Sequence, residues 1–365
     1  MEERGWELFA PEEEEPDRDS DVFFNDHMLA NRDISEVAFR VGSGQIDSEE
    51  IRACDAMAAT GIRGFRYSSF ADEVVINDSK PEAYRSIKRG AEANGIDVEA
   101  RQEDANVLLS SNRNRFHLID LDPFGPFTGF LDSVAQASNH ESFVGLTATD
   151  NAVPAGSYRK TCKRRYGAEP LKNSLMHETG LRIYIREAFR NFARYDKCFE
   201  PKLCFHQRHY SRLIGRVTES KSRTNSNLEN IGFLSFCPDC RWRELGRERK
   251  RCCGSCGGKV DHAGPLWTGK FSDRRFTSEV LDRMPESWEE ARQIVGLIDA
   301  ESEILTPYYD LHEMSSSIGI SSPKRDQVIE AIREKGYPVE RTHFAPTGFR
   351  TDAPVEDIVE IISEA

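Results

Sequence analysis

The feature that most constrains the fold is an alternation of short apolar runs with helix-like segments between residues 51 and 149. The apolar runs are IRACDAM, EVVIND, FHLIDLD and FVGLTATD, and the segments between them include EAYRSIKRGAEANG and FTGFLDSVAQAS. Strands that alternate with helices of this length form parallel βαβ units, which favour a doubly wound α/β sandwich. Ligands of such sheets bind at the carboxyl ends of the strands, so the residues that end each apolar run are candidates for a site.

The length and composition indicate a globular protein of about two domains. Of the 365 residues, 38% are hydrophobic and 30% are charged, and no apolar run approaches the roughly 18 residues that a membrane span needs. Acids and prolines dominate residues 1–20, so we expect an acidic disordered tail there. The tail lacks the basic-then-apolar order of a signal peptide, and we therefore expect a cytoplasmic protein.

The net charge of -13 is unevenly distributed along the chain. Residues 1–21 carry -8 of it, whereas YRKTCKRR (158–165) carries +5 and RWRELGRERKR (241–251) carries +4. Phosphate contacts in nucleic-acid complexes come mostly from Lys and Arg, so the two basic segments are candidates for contact with RNA. Each segment is equally well interpreted as a solvated face of the protein.

Small and acidic residues follow three successive strands of the predicted sheet. Asp55 is followed by a turn of small residues at 58–61, which lets a ligand approach the backbone at the start of a helix. EVVIND ends at Asp78, which can accept hydrogen bonds from ribose hydroxyls or, alternatively, cap the next helix. Asp104 and Ala105 follow a third strand, where an acid can accept from an adenine amine. The acids favour an adenosine-containing cofactor, and the absence of G-x-G-x-x-G disfavours a dinucleotide.

The segment FHLIDLDPFG (116–125) brings an acid, a proline and an aromatic residue together after the fourth strand. The carboxylate of Asp122 can hold the N–H groups of an exocyclic base amine, and Phe124 offers a face on which an extruded base can stack. The alternative interpretation is a plain turn, since Asp-Pro is common in turns. A position at the carboxyl end of a cofactor-binding sheet favours catalysis.

Five of the nine cysteines fall within twenty residues of one another. Cys237 and Cys240 form one C-x-x-C pair, and Cys253 and Cys256 form a second pair twelve residues later. This layout is typical of a tetrahedral structural zinc site, and four thiolate ligands leave no position open for catalysis. Cys252 is an alternative to Cys253 as a ligand, although the x-x spacing favours Cys253.

Seven groups of motifs resemble those of the archaeal and eukaryotic tRNA (guanine-26-N2) dimethyltransferases, in family order over nearly the whole chain. They are VFFN with NRDIS (22–35), DAMAATGIRGFRY (55–67), IDLDPFG (119–125), GLTATDNAVPAG (145–156), HETGLRI (177–183), GPLWTGK (264–270) and THFAPTGFRTDAP (342–354). The resemblance to the archaeal type of this family implies an enzyme that transfers one or two methyl groups from S-adenosyl-L-methionine to N2 of guanine 26 in tRNA.

The resemblance also implies roles for individual residues. Asp122 is implied to be catalytic, and Phe23 and Phe124 are implied to sandwich the guanine. Arg66 is an alternative to Arg63 as a cofactor contact, since both lie at the start of one predicted helix. The residues implied to contact S-adenosylmethionine are Arg32, Arg63, Asp78, Asp104 and Ala105.

The expected fold class is an α/β, Rossmann-like S-adenosylmethionine-dependent methyltransferase domain with a smaller α+β C-terminal domain. We expect the methyltransferase domain at 21–220 and the C-terminal domain at 221–365. The second domain is expected to contain a zinc knuckle at about 231–262 and to end in a winged-helix-like module, a helix followed by a small hairpin. Removal of the acidic tail is expected to leave cofactor binding intact.

The implied chemistry is nucleophilic attack by a guanine amine, with Asp122 accepting its proton. The expected partner is tRNA, and nothing in the sequence indicates a membrane or an obligate protein partner. Two alternatives stay open. One is a methyltransferase that acts on another exocyclic base amine in RNA or DNA, and the other is a non-catalytic, zinc-containing nucleic-acid-binding protein.

Overall fold

The computed structural model of the chain describes residues 1–10 and 22–365. The strands are β1 (Glu2–Glu3), β2 (Trp6–Glu7), β3 (Arg52–Asp55), β4 (Glu73–Asn77), β5 (Glu99–Arg101), β6 (Phe116–Leu121), β7 (Ser138–Ala148), β8 (Lys197–Gln207), β9 (Tyr210–Glu219), β10 (Ile231–Phe236), β11 (Arg243–Gly246), β12 (Asp261–Trp267), β13 (Tyr309–Asp310), β14 (Val339–Arg341) and β15 (Gly348–Thr351). The helices are α1 (Leu29–Ser43), α2 (Ile62–Tyr67), α3 (Pro81–Asn94), α4 (Ala105–Ser111), α5 (Leu131–Ala137), α6 (Arg159–Tyr166), α7 (Met176–Ala193), α8 (Lys221–Asn227), α9 (Arg274–Arg283), α10 (Glu289–Glu301), α11 (Leu311–Ser317), α12 (Arg325–Glu334) and α13 (Val355–Glu364).

Seven strands form one sheet in the order β5-β4-β3-β6-β7-β9-β8. Strands β3 to β7 run parallel, and β9 runs antiparallel to both of its neighbours. Both faces are buried, since Leu118 of β6 packs in one core and the next residue, Ile119, packs in the other. Helices α4, α5 and α7 cover one face, and α1, α2, α3, α9 and α10 cover the opposite face. This arrangement confirms the expected Rossmann-like α/β fold.

None of the helices within 1–10 and 22–365 is both long enough and apolar enough to cross a membrane.

The expectation of a disordered tail is wrong for residues 1–10. Strands β1 and β2 pair as a short hairpin, Leu8 is buried, and Glu3 is only 8% exposed. The physical reason is that the Glu3 carboxylate is a counter-ion for two buried guanidinium groups, those of Arg32 and Arg66. An acid that neutralises a buried cation contributes to the core, although its charge suggests a solvated segment. The rest of the expected tail lies outside the described residues.

Residues 221–365, expected as one separate domain, divide among three cores. The sheet β11-β10-β12 packs on α7, where Phe236 and Trp267 join the core of the main sheet. Helices α9 and α10 pack on α1 and share the core that contains Phe39. Within the described chain, the sheet β13-β15-β14 forms a further core with α11, α12 and α13. Helix α12 and the β14–β15 hairpin occupy the segment where the sequence predicts a helix and a hairpin.

Arg350 on β15 joins these cores through a buried charge network. Its guanidinium donates to Glu178 of α7 at 3.0 and 3.1 Å and to Glu301 of α10 at 2.8 Å. All three side chains are at most 1% exposed. Burial by itself would raise the pKa of the two carboxyl groups, but Arg350 lowers both, and the pKa of Glu301 falls to about 2. The C-terminal sheet is therefore held to the methyltransferase core by ionised groups.

We expect Arg350→Leu to lower the free energy of unfolding by about 3–5 kcal/mol, because the substitution removes the buried cation that Glu178 and Glu301 share. Chemical denaturation measures this loss. Arg341→Leu is the matched control, since Arg341 is 49% exposed and pairs with Asp326 at the surface, where an ion pair contributes at most about 1 kcal/mol. Equal losses in the two variants would contradict the role of the network.

Candidate active site and metal centre

A cavity of about 350 Å³ opens at the carboxyl ends of β3, β4 and β6. Its walls come from the segment that leads into α1, the turn between β3 and α2, and the residues that follow β4, β6 and β7. Six of the eight residues expected to contact the cofactor or the base line this cavity. They are Phe23, Arg32, Arg63, Asp78, Asp122 and Phe124.

The turn between β3 and α2, which forms part of the cavity wall, depends on two glycines. Gly61 has a φ of +86°, and a Cβ at Gly64 would lie 2.5 Å from the side chain of Ile76. Both positions therefore require glycine. Asp78 fixes the same turn, because its Oδ2 accepts from the N–H of Ala59 at 2.9 Å and its Oδ1 accepts from the N–H of Lys80 at 2.9 Å. The carboxylate lines the cavity and keeps lone pairs for further donors.

The two candidate arginines of α2 point to different places. Arg63 lines the cavity and donates from Nη2 to Asp122 at 2.8 Å and to Asn31 at 2.9 Å. Arg66 is 1% exposed, pairs with Glu3 and with Asp33, and is not part of the cavity wall. This geometry favours Arg63 as the residue that faces a cofactor.

The ion pair between Arg63 and Asp122 lies next to further buried charged residues. Asp120 is fully buried on β6, and its carboxylate accepts hydrogen bonds from both Nη atoms of Arg212 at 2.8 Å. The same carboxylate lies 3.6 Å from Nη1 of Arg63. Burial by itself would lower the pKa of Arg63, but the carboxylates of Asp122 and Asp120 raise it well above its usual value. Burial, with Asp120 adding to it, raises the pKa of Asp55 to about 8. Asp55 is therefore neutral at pH 7, and Asp122 is held by a permanent cation.

The loop that carries Asp122 is anchored by Thr149, which follows β7. The N–H of Gly125 donates to the Thr149 hydroxyl at 2.7 Å, and the N–H of Thr149 donates back to the carbonyl of Gly125 at 3.0 Å. Phe124 is 49% exposed, and its ring meets that of Phe23 at a centroid distance of 4.5 Å and an angle of 78°. The two rings are neighbours, as expected, but they contact each other edge to face.

Asp104 and Ala105 do not line the cavity. Asp104 caps α4, because its Oδ1 accepts from the N–H groups of Asn106 and Val107 at 2.9 and 3.2 Å. The segment before it is held to the end of β4, where Asn77 bonds to the backbone of Glu103 through both of its side-chain atoms. A contact of Asp104 and Ala105 with the cofactor stays a prediction.

Sequence reasoning missed several residues of the site. Thr149 lies in GLTATDN, which is part of one of the family motifs, so this motif could have identified Thr149 as a site residue. His209 lines the cavity from the turn between β8 and β9, and Arg212 follows it on β9. Asn31 bonds to Arg63 from α1. Asn31 is the first residue of the motif NRDIS, so that motif was a signal for it as well. No local pattern marks His209 and Arg212, because their position at the site depends on how the chain folds.

The four predicted cysteine ligands come together. Their Sγ atoms lie within 4.8 Å of one another, with 3.6 Å between Cys237 and Cys256 and 3.4 Å between Cys240 and Cys253. Four thiolates around one zinc ion at about 2.3 Å stand roughly 3.8 Å apart, so this donor set fits a tetrahedral zinc site. Cys252 is exposed and lies outside the cluster, which favours Cys253 as the ligand.

Comparisons with known proteins agree with this geometry. Residues 10–363 match the family described as N2,N2-dimethylguanosine tRNA methyltransferase. The chain is similar to the tRNA (guanine(26)-N(2))-dimethyltransferase of Methanosphaera stadtmanae, with 35% identity over 97% of this chain and 93% of the relative. Its identity to the enzyme of the same name from Methanothermobacter thermautotrophicus is 36%, over 94% and 92% of the two chains. The structure of Trm1 from Pyrococcus horikoshii with S-adenosyl-L-methionine superposes with a TM-score of 0.86 at 30% identity, covering 98% of this chain and 97% of that chain.

We expect Cys237→Ser and Cys256→Ser each to lose about one equivalent of zinc per chain and to unfold at a lower temperature, because binding of a structural zinc is folding free energy. Elemental analysis and thermal denaturation measure the two effects. Cys252→Ser is the control and should keep both its zinc and its melting temperature. An active wild-type protein without zinc would show that the cluster holds no structural metal.

Proposed function

This chain belongs to the family of N2,N2-dimethylguanosine tRNA methyltransferases, and on that premise we propose that it transfers one or two methyl groups from S-adenosyl-L-methionine to N2 of guanine 26 in tRNA. The observation that supports the chemistry is the ion pair between Arg63 and Asp122, which fixes a 23% exposed carboxylate at the cavity wall. We expect the reaction in the cytoplasm.

Asp122 acts on the amine of the target guanine. The N2 lone pair of guanine is delocalised into the ring, so the amine is a weak nucleophile. A carboxylate that accepts from N2–H localises this lone pair and takes the proton as the new N–C bond forms, and such a general base contributes about 10²–10⁴-fold. S-Adenosylmethionine supplies the electrophilic methyl group when bound. The product amine keeps a lone pair, so the same groups can act in a second transfer.

Each part of the cofactor is assigned to residues of matching chemistry. Asp78, at the end of β4, accepts from ribose hydroxyls, and Asp104 with Ala105 contacts the adenine ring. Arg32 and Arg63 pair with the carboxylate of the methionine part, because guanidinium groups bind carboxylates with geometric specificity. The small residues Ala58 and Ala59 support this arrangement, since they line the cavity just before α2.

The guanine is extruded from the tRNA and stacks between Phe23 and Phe124. The exposed ring of Phe124 supports this role, because it stands next to Pro123 and Asp122 at the cavity wall. Extrusion of a base costs a few kcal/mol, which stacking on aromatic rings offsets in part.

Three basic residues of the 158–165 segment are engaged within the protein. Arg159 and Lys163 each reach Glu169 at 2.5 Å, and Arg165 reaches Asp150 at 2.5 Å. Arg165 lies close to the catalytic loop, because its partner Asp150 directly follows Thr149 in the chain. The three basic residues are poor choices for a test of RNA binding.

Lys160 and Arg164 are the members of the same segment that we assign to the tRNA backbone. Both are exposed, and neither has an ion-pair partner among the described residues. Tyr158 beside them is 60% exposed and offers a ring for stacking. We propose that the tRNA crosses this surface of the methyltransferase domain (21–220) and approaches Arg251 in the zinc module of the C-terminal region (221–365).

We expect Asp122→Asn to abolish methyl transfer and to keep most cofactor affinity, because an amide cannot take the proton of the amine. Incubation of unmodified tRNA with protein and S-adenosylmethionine, followed by mass spectrometry of the nucleosides, measures the product. The wild type should yield N2-methylguanosine and N2,N2-dimethylguanosine, and the variant should lose about 10²-fold or more in rate. Calorimetric titration measures the affinity for the cofactor.

Asp132→Asn is the control, since Asp132 is 60% exposed and outside the cavity wall. A wild-type product methylated on adenine or cytosine would refute the proposed substrate. Normal turnover of Asp122→Asn would refute the role of Asp122.

We expect the double substitution Lys160→Glu and Arg164→Glu to raise KM for tRNA and to flatten its salt dependence, with cofactor affinity unchanged. Each lost phosphate contact should reduce the slope of log affinity against log salt by roughly 0.7–0.9. The control is Arg85→Glu with Lys88→Glu, which makes the same change in net charge on α3 near the opposite edge of the sheet. Identical slopes for the wild type and the 160/164 variant would mean that the RNA takes another path.

A further inference from the structure

Glu3, in the N-terminal hairpin, contacts an arginine of the cofactor cavity. Its Oε1 accepts from Nε of Arg32 at 2.9 Å, its Oε2 accepts from Nη2 of the same guanidinium, and Arg66 donates to Oε1 as well. The side chain of Glu3 is 8% exposed and that of Arg32 is 6% exposed. A residue from the acidic N-terminal segment therefore forms a buried, bidentate ion pair behind the cavity wall.

The geometry leaves Arg32 two donors for a ligand. A guanidinium has five N–H groups. Two of those of Arg32 point to Glu3 and a third, on Nη1, donates to the carbonyl of Asn25 at 3.0 Å. The remaining N–H groups, one on each Nη, belong to a side chain that lines the cavity. The bidentate pair with Glu3 fixes the plane in which these groups are presented.

The hairpin itself is docked firmly enough to hold Glu3 in place. Arg4 donates to Asp33 of α1 at 2.7 Å, and its guanidinium lies 4.9 Å from the ring centre of Trp288. The N–H of Glu7 donates to Asn94 of α3 at 2.9 Å, and Asn94 donates back to the Glu7 carbonyl at 2.8 Å. The hairpin thus contacts α1, α3 and the segment before α10.

Charge explains why a carboxylate is needed at this place. Arg32, Arg63 and Arg66 form a buried group of cations, and Arg63 and Arg66 both lower the pKa of Arg32, in addition to the larger effect of burial. Glu3 opposes these effects by its hydrogen bonds and its charge. Among the described residues, Arg63 is paired with Asp122 and Asp120, so Glu3 is the carboxylate that neutralises Arg32.

We propose that Glu3 is a positioning residue of the cofactor site, which orients Arg32 toward the carboxylate of the methionine part of S-adenosylmethionine. The proposal rests on the proposed function, in which Arg32 is a cofactor contact. It makes the N-terminal hairpin a part of the active site, in contrast to the expectation that the acidic tail can be removed without effect on cofactor binding.

The test compares Glu3→Gln with Glu2→Gln in the full chain. Glutamine keeps the shape of Glu3 but removes its charge and one acceptor, whereas Glu2 is an exposed residue of the same strand. Calorimetry gives the affinity for S-adenosylmethionine and for 5′-methylthioadenosine, which lacks the amino-acid part. We expect Glu3→Gln to weaken binding of S-adenosylmethionine on the order of tenfold and to leave binding of methylthioadenosine unchanged. Glu2→Gln should bind both ligands as the wild type does.

Arg32→Gln separates failure of this proposal from failure of the proposed cofactor contact. If Arg32→Gln binds S-adenosylmethionine normally, the cofactor contact itself is wrong. If Arg32→Gln weakens binding and Glu3→Gln does not, Glu3 is not a positioning residue. Equal weakening of both ligands by Glu3→Gln, with a lower melting temperature, would assign Glu3 a structural role alone and overturn the proposal. A selective loss for S-adenosylmethionine in both variants supports it.

Discussion

The active site depends on the neutralisation of carboxylates buried at the carboxyl ends of two neighbouring parallel strands. Asp55 ends β3, and Asp120 lies on β6 beside it, in register. Two adjacent buried carboxylates repel each other, and the pKa values of these two groups shift in opposite directions. Asp120 keeps its charge because Arg212 and Arg63 outweigh the effect of burial and lower its pKa, whereas the pKa of Asp55 rises to about 8. Arg63 also pairs with Asp122, two residues after Asp120 in the chain.

Other buried charges around the site are likewise neutralised by ion pairs. Glu3 neutralises Arg32 and Arg66 behind the cavity, and Glu178 with Glu301 neutralises Arg350 at the junction with the C-terminal sheet. In each case the partners are separated by many residues in sequence. Such pairs are costly to break because either partner alone would be a buried charge. They consequently fix how the N-terminal hairpin and the C-terminal sheet sit on the central fold.

Local patterns of the sequence were sufficient for the parallel part of the sheet, the position of Asp122 and the zinc ligands, but not for the antiparallel strands β8 and β9. Alternating apolar runs give the βαβ order because burial on both faces demands them, and two C-x-x-C pairs place four thiolates together with little dependence on the rest of the chain. The role of Glu3 could not be predicted in this way, because its partners Arg32 and Arg66 lie 29 and 63 positions away. A run of acids resembles a solvated tail unless the buried cations that it meets are known.

Local patterns also could not predict how the residues beyond 220 pack on the main sheet. The sequence leads us to expect a separate domain from residue 221 onward, yet α9 and α10 complete the core on one face of the main sheet. Their apolar stripes predict helices that pack against something, but not which surface they cover. The position of α10 matters for the site as well, because the segment that leads into it contributes Trp288, whose ring contacts Arg4 of the hairpin.

The contact between Phe23 and Phe124 constrains the proposed stacking of the guanine. A ring placed between two others needs roughly 7 Å between them, which is twice a van der Waals separation. The observed centroid distance of 4.5 Å, with the rings edge to face, leaves no such space. Phe124 belongs to a loop that Thr149 holds by two hydrogen bonds to Gly125, whereas Phe23 precedes α1 and is fixed by no comparable pair in the described chain. The proposed stacking of a guanine between Phe23 and Phe124 therefore requires a wider separation of the two rings than the observed one.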